Sequence, residues 1–176
     1  MAFTINSFRT AMQKVGGGAR PNLFEVRMTP PGNTVNASQW TFQCKIASIP
    51  PMTIGVIEVP YFGRQIKMPG NRTFENLSLT VINDENMEIR SGMEKWHNEF
   101  NDHVTNLENS ELAVNMADIT VVHYGVQGSE TGQWKFVDAF PVSLGEIALD
   151  WGSNDTIEEF TVEFAYDYWT HSGGAE

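Results

Sequence analysis

Cysteine is nearly absent. Cys44 stands alone, so no disulfide can form within the chain, as suits a reducing compartment. Charge is sparse as well: Asp, Glu, Lys and Arg make up 19% of the 176 residues, below the roughly 25% of an average soluble domain. Much of the polar surface is therefore Asn, Thr and Ser, which suits surfaces that become buried against partners. No run approaches the ~18 apolar residues of a membrane span. The opening MAFTINSFRT has no apolar h-region, so neither a signal peptide nor stable membrane insertion is expected.

Chemical motifs are missing too. His97, His103, His123 and His171 lack the H-x-x-x-H spacing of a zinc helix, and no second cysteine can help them. Asp84, Glu85 and Glu88 lack the pattern of a calcium loop. Gly16-Gly17-Gly18 has no strand before it and no GK[ST] after it, so it reads as a flexible joint. There is no G-x-S-x-G, and Cys44 falls on the apolar face of a predicted strand, where a thiol is inert. Glu158 and Glu159 are adjacent, but strand neighbours point to opposite faces and cannot act as a carboxylate pair. No catalytic residue, cofactor or metal ligand is expected.

The charge that is present is unevenly placed. Residues 1–95 hold 10 basic and 7 acidic side chains, a net of +3; residues 96–176 hold 1 and 15, a net of −14. The acidic half is not a disordered tail, because it carries Trp134, Phe136, Phe140, Trp151, Phe160, Phe164, Tyr166, Tyr168 and Trp169. An acidic surface repels phosphate, so tight groove-type DNA binding is not expected. The basic residues Arg64, Lys67 and Arg72 cluster among the turn residues Gly63, Pro69 and Gly70. They form either a solvated hairpin or an ionic contact with an acidic neighbour.

Period-two alternation predicts strands over 22–28, 39–46, 54–61, 64–68, 74–82, 118–125 and 133–140, with a last long strand over 156–169. In 39–46, Trp40, Phe42, Cys44 and Ile46 share one face. In 156–169, Phe160, Val162, Phe164, Tyr166 and Tyr168 alternate with Glu159, Thr161, Glu163, Ala165 and Asp167. One segment departs from this rhythm. Ile89, Met93, Trp96 and Phe100 are spaced +4, +3 and +4, within about 40° of one helical stripe. A helix over 85–101 follows, capped by Asn83 or Asp84, its stripe packed on a sheet. Phe8, Ala11, Met12 and Val15 suggest a short helix or arm before the triple glycine. The fold class is mainly β: an antiparallel β-sandwich or barrel with one flanking α-helix. Residues 1–18 form an arm and 19–176 a single domain, with a long polar loop over 102–117.

Four stretches in order resemble the tail tube proteins of contractile-tailed bacteriophages (myoviruses): ARPNLFEV at 19–26, WTFQCKIASIP at 40–50, GRQIKMPGNRTFENLSLTVINDE at 63–85 and LGEIALDWGSNDTIEEFTVEFAYDYW at 144–169. The match is unclear at 29–38 and 102–117, and the N-terminal arm is longer than the family pattern. The resemblance implies a structural virion protein, assembled in the bacterial cytoplasm. It further implies that six copies form a ring and that rings stack head-to-tail into a hollow tube inside a contractile sheath. Implied partners are further copies of itself, the sheath protein, baseplate and tail-terminator proteins, and a tape measure protein in the lumen. DNA passes through without specific binding. Barrels of 16–18 strands already leave an aqueous pore, so about four strands from each subunit would leave a wide channel.

Three surfaces carry this reading. The apolar stretch 47–63, with Ile49, Met52, Ile54, Val56, Ile57, Val59, Tyr61 and Phe62, is too apolar for a free loop and suits contact between rings. The acids Glu75, Glu159, Glu163 and Asp167 are candidates for the channel wall, where they would hold DNA off by repulsion. The polar face of the helix, Glu88, Glu94, Lys95 and Glu99, suits the sheath. Two other readings compete: the same tube in a type VI-like secretion or other contractile injection system, and a monomeric β-sandwich binding module, for instance for carbohydrate.

Overall fold

Alternating β-branched and aromatic residues fold into antiparallel strands because each strand has one face to hide. The computed structural model describes residues 4–14, 16–33, 37–101 and 115–173. In chain order these form α1 (Ile5–Lys14), β1 (Phe24–Met28), a 3-10 turn (Pro31–Asn33), α2 (Ala37–Gln43), β2 (Cys44–Ser48), β3 (Met52–Tyr61) and β4 (Arg64–Phe74). There follow β5 (Leu77–Ile82), α3 (Glu88–Phe100), β6 (Ala117–Tyr124), β7 (Glu130–Leu144), β8 (Glu159–Ala165) and β9 (Tyr168–Ser172). The fold is mainly antiparallel β, as predicted. Among the described residues α3 is the flanking helix and α1 falls where a short helix or arm was expected, while α2 was not expected.

Seven strands form one continuous sheet in the order β1-β6-β7-β8-β5-β2, with β9 also paired to β7. The long strand β7 turns the corner between two layers. Its first part pairs with β6 and β9, and its last residues, from Phe140 onward, pair with β8. The bend falls at Asp138, whose φ of 54° is left-handed. The chain turns the same corner again after β8. The predicted strand 156–169 is therefore two strands, broken at Tyr166 and Asp167, where the Asp167 N–H donates to the Val137 carbonyl at 3.2 Å. The break shifts the side-chain phase. Phe160, Val162 and Phe164 are buried, but Tyr168 is 48% exposed and Trp169 packs on the core instead.

The predicted strand 39–46 is corrected too. Residues 37–43 are helical, and the Thr41 hydroxyl donates to the Ala37 carbonyl one turn back at 3.0 Å. The apparent alternation of Trp40, Cys44 and Ile46 straddles a helix–strand junction. A short helix here lets α2 lie against β1 and also reach β2 and β5. Trp40 is fully buried and meets Phe164 edge-on at 6.2 Å.

Helix α3 covers the other side of this core. Ile89, Met93 and Trp96 are fully buried and Phe100 packs against the same cluster, as the stripe predicts. Trp96 lies 5.9 Å from Phe164, and its indole N–H donates to the Asn115 carbonyl at 2.7 Å. The helix starts three residues later than predicted. Asp84 caps it from a distance, its carboxylate accepting from the N–H groups of Glu88 at 3.0 Å and Ile89 at 3.2 Å. The loop predicted over 102–117 lies outside the described residues as far as 114, and β6 begins at Ala117.

Candidate assembly surfaces

Strands β3 and β4 pair only with each other, as a separate two-stranded sheet. No residue of β3 is buried. Their register sets Ile57 opposite Met68, Val59 opposite Ile66 and Tyr61 opposite Arg64. Directly opposed residues share a face, so the hairpin has one apolar side: Ile57, Val59, Tyr61, Ile66 and Met68 are all 40–60% exposed. Phe62 at the tip is 91% exposed and holds a left-handed φ of 43°, followed by Gly63 at 80°. Those angles make the two-residue turn that suits strand twist, but Asn or Gly usually fills the position that Phe62 holds. A strained aromatic at an exposed tip points to a role outside the monomer. Ile49, Met52, Ile54 and Val56 are also 40–60% exposed, so the whole predicted apolar set lies on or beside the hairpin.

The predicted basic cluster is divided. Arg64 shares the apolar face, Lys67 lies opposite Glu58 on the other, and Arg72 lies opposite Ile54 beyond a bulge. Among the described residues, none of the three makes an ion pair.

The acidic set is divided likewise. Glu159 and Glu163 lie on β8 opposite the buried Phe160, Val162 and Phe164. On that face Ser78 and Ser143 stand beside Glu163, Thr80 beside Thr161 and Ile82 beside Glu159. Glu159 is ion-paired with Lys45 of β2. Asp167 is in the β8–β9 corner and Glu75 in the β4–β5 turn, so strand alternation does not extend to either. The Glu75 carbonyl accepts the Tyr166 hydroxyl at 2.6 Å. Burial pushes the Tyr166 phenol up to about 12, and nearby Glu75 adds to the shift.

On α3, Glu88, Glu94 and Lys95 are exposed and Glu99 is partly so. Arg90, also on this helix, binds Glu94 at 2.8 Å, donates to the Gly145 carbonyl at 2.7 Å and lies over the Phe160 ring.

Among the described residues no three His, Cys, Asp or Glu side chains gather to hold a metal, and no helix is long and apolar enough to cross a membrane. His123 has both ring nitrogens engaged, with Thr131 and the Arg20 carbonyl, each at 2.9 Å. Burial pushes the Cys44 thiol up to about 12, which disfavours the reactive thiolate. One exposed element escaped the sequence reading. Trp151 looked like evidence of a core, yet it is 100% exposed, with Leu149 at 80% and Ile157 at 67% in the β7–β8 connection. The turn-rich DWGSND around it was the available signal.

Two joined antiparallel layers, a covering helix and a separate hairpin make a fold shared with chains of contractile injection systems. A chain in the sheath–tube complex of an extracellular contractile injection system superposes with a TM-score of 0.66 at 20% identity, over 94% of this chain and 98% of that one. A chain of the anti-feeding prophage baseplate does so with a TM-score of 0.66 at 17% identity, over 89% and 96%. Closer kinship comes from sequence. The tail tube protein gp19 of Enterobacteria phage T4 is 32% identical over 155 residues, 88% of this chain and 92% of its own. The tail tube protein of Serratia phage KSP90 is 30% identical over 166 residues, 93% and 94% of the two chains. The phage tail tube protein family profile matches residues 19–172, and the chain belongs to that family. Its function is that of a tail tube protein of a contractile-tailed phage, a structural component of the virion.

Proposed function

We propose that six copies form a ring and that rings stack head-to-tail into a hollow tube conducting viral DNA. The carrying observation is the β3–β4 hairpin. An isolated two-stranded hairpin is marginal in water, and this one leaves its whole apolar face exposed, which fits an element completed by another copy. A head-to-tail stack is a heterologous contact and needs two unlike ends; a basic hairpin, with Arg64, Lys67 and Arg72 against Glu58 alone, on a chain of net charge −11 supplies one such contrast.

In this reading the apolar set 49–62 lies between rings and the cations Arg64, Lys67 and Arg72 meet acids of a neighbour. The hydroxyl-rich outer face of β5 and β8, with Glu159 and Glu163, forms the channel wall together with Glu75 and Asp167. Duplex DNA slides past it without specific binding. Helix α3 faces outward, toward the sheath. Residues 1–18 act as an arm on the tube domain 19–176; the family match begins at residue 19, just after three glycines with left-handed φ. Baseplate and tail-terminator proteins close the two ends, a tape measure protein fills the lumen before ejection, and assembly takes place in the host cytoplasm. The tube works as a conduit, without catalysis. Identity of 30–32% to phage tube proteins favours this over a secretion-system tube.

The test is electron microscopy of the purified chain against a variant carrying Ile57→Asp and Val59→Asp. The wild type should give tubes; the variant, folded by circular dichroism, should give none. Tubes at normal yield from the variant would refute the hairpin's role.

A further inference from the structure

The β7–β8 connection, residues 145–158, combines apolar exposure with a held backbone. At its start the Gly145 N–H donates to the Thr161 carbonyl at 2.6 Å, and the Gly145 carbonyl accepts from Arg90 at 2.7 Å. At its end the Glu158 carbonyl accepts the Asn83 N–H at 2.9 Å, and the Glu158 carboxylate accepts the Asn83 amide. At its tip the Asp150 carboxylate accepts the Gly152 N–H at 3.0 Å and the Ser153 hydroxyl at 3.3 Å, closing an Asx-type turn. Ile147 packs against the core. Between these anchors Trp151 stands wholly in water. A tryptophan presented on a pinned turn loses little freedom on binding, so more of its burial energy goes into affinity.

The charge around it is of one sign. Residues 145–158 carry Glu146, Asp150, Asp155 and Glu158 and no base. The hairpin over 52–74 is the reverse, with Arg64, Lys67 and Arg72 against Glu58 alone. It also presents the unpartnered apolar face that an indole and the Leu149 side chain can cover. Cations beside an indole face gain a further attraction.

We propose that Trp151 and its acidic surroundings seat on the β3–β4 hairpin of a second copy of this chain, in the adjacent ring. The contact rests on the tube reading above and names what the hairpin meets. Its two halves are different surfaces, so each copy offers one hairpin and one tryptophan turn, and the contact propagates along an axis without closing on itself. Tryptophan and arginine are the side chains that most often dominate such contacts.

Trp151→Ala should keep the circular dichroism of the wild type, because the side chain touches nothing in the monomer. It should leave rings but cut tube yield about tenfold or more, as loss of a tryptophan anchor does. Asn154→Cys copies mixed with Ile66→Cys copies, whose cysteine lies on the apolar face, should form disulfide-linked dimers in oxidised tubes. Asn154→Cys mixed with Lys95→Cys should form none. Tubes at wild-type yield from Trp151→Ala, or well-formed tubes without the Asn154–Ile66 crosslink, overturn the proposal. Loss of rings as well as tubes overturns the axial placement. A wild-type chain that forms neither rings nor tubes overturns the tube reading itself, and so the two failures are told apart.

Discussion

The β5–β8 pair and the β3–β4 hairpin are made from the same kind of strand, yet they end in opposite environments. Leu77, Leu79, Val81, Phe160, Val162 and Phe164 are at most 2% exposed, whereas Ile57, Val59, Ile66 and Met68 are 40–54% exposed. Alternation says that one face of a strand should leave water. It does not say whether the cover comes from the same chain. For β5 and β8 the cover is internal: Trp40 from α2 and Trp96 from α3 close on Phe164. For the hairpin nothing described in the chain covers it, and each half-exposed side chain still has on the order of 1 kcal/mol to gain by burial. One region holds the subunit together; the other, in the proposed tube, would gain its cover from a neighbouring copy.

The sharpest way to break the comparison is to damage each region and read both stability and assembly. Trp96→Ala should cost about 3–5 kcal/mol, the range for truncating a buried aromatic, with the added loss of the indole bond to Asn115. Thermal unfolding should shift strongly downward, and tubes should fail because the subunit fails. The hairpin substitutions at Ile57 and Val59 should move the monomer's midpoint by an amount within about 0.5 kcal/mol, the usual range for exposed sites, while removing tubes. A large drop in monomer stability from the hairpin variant would mean that its apolar face is already covered in the subunit.

This contrast also explains what was legible in the sequence. The α3 stripe was readable because a helix buries one stripe, and its +4, +3, +4 spacing breaks the strand alternation on either side. β5 and β8 were readable because each buries a single face, whereas β6 blurs the pattern by burying both Val121 and Val122. The reading failed at junctions. Residues 37–43 mimic a strand because Trp40 and Cys44 fall at even spacing, while the contact with β1 that makes the segment helical is long-range. The split at Tyr166 and Asp167 is invisible for the same reason: the alternation runs on unbroken, and only the corner of β7 requires the chain to change layers. Among the acids, Asp167 lies past the end of β8 at Ala165, where strand alternation no longer sets its face. The exposed hairpin is legible as excess apolarity, and the odd spacing of Arg64 and Lys67 along one strand already parts them.

A smaller effect tests the boundary of the self-sufficient region. Asp84 accepts two N–H groups of the first turn of α3 although it lies before the helix. Asp84→Ala should cost about 1 kcal/mol, the usual value of a lost cap. Urea unfolding with an unchanged slope should show it as a lower midpoint, and assembly should survive. Asp84→Asn should recover part of the loss, since an amide oxygen still accepts.

The smallest effect lies on the surface of the β1–β6 layer. Arg27 donates to Glu25 at 2.9 Å, to the Tyr124 hydroxyl at 2.7 Å and to Glu130 at 3.3 Å, while the Tyr124 hydroxyl donates to Glu25. The Arg27 and Tyr124 hydrogen bonds hold the Glu25 carboxyl below its usual value of about 4.5. The Glu25 carboxylate in turn raises the Tyr124 phenol above its usual 10. The signs give a plateau. The Glu25 contribution is full above about 4.5 and is lost as pH falls through its lower folded value. The Tyr124 contribution is full below 10 and is lost as pH rises through its higher folded value. Because Arg27 and Glu130 are about half exposed, solvent screens the network and its worth is well under ~1 kcal/mol. Glu25→Gln should therefore lower stability slightly at pH 7 and flatten the acid limb of the stability–pH curve below about 4.5, leaving tubes intact. An acid limb as steep in the variant as in the wild type would assign the acid sensitivity to other carboxylates.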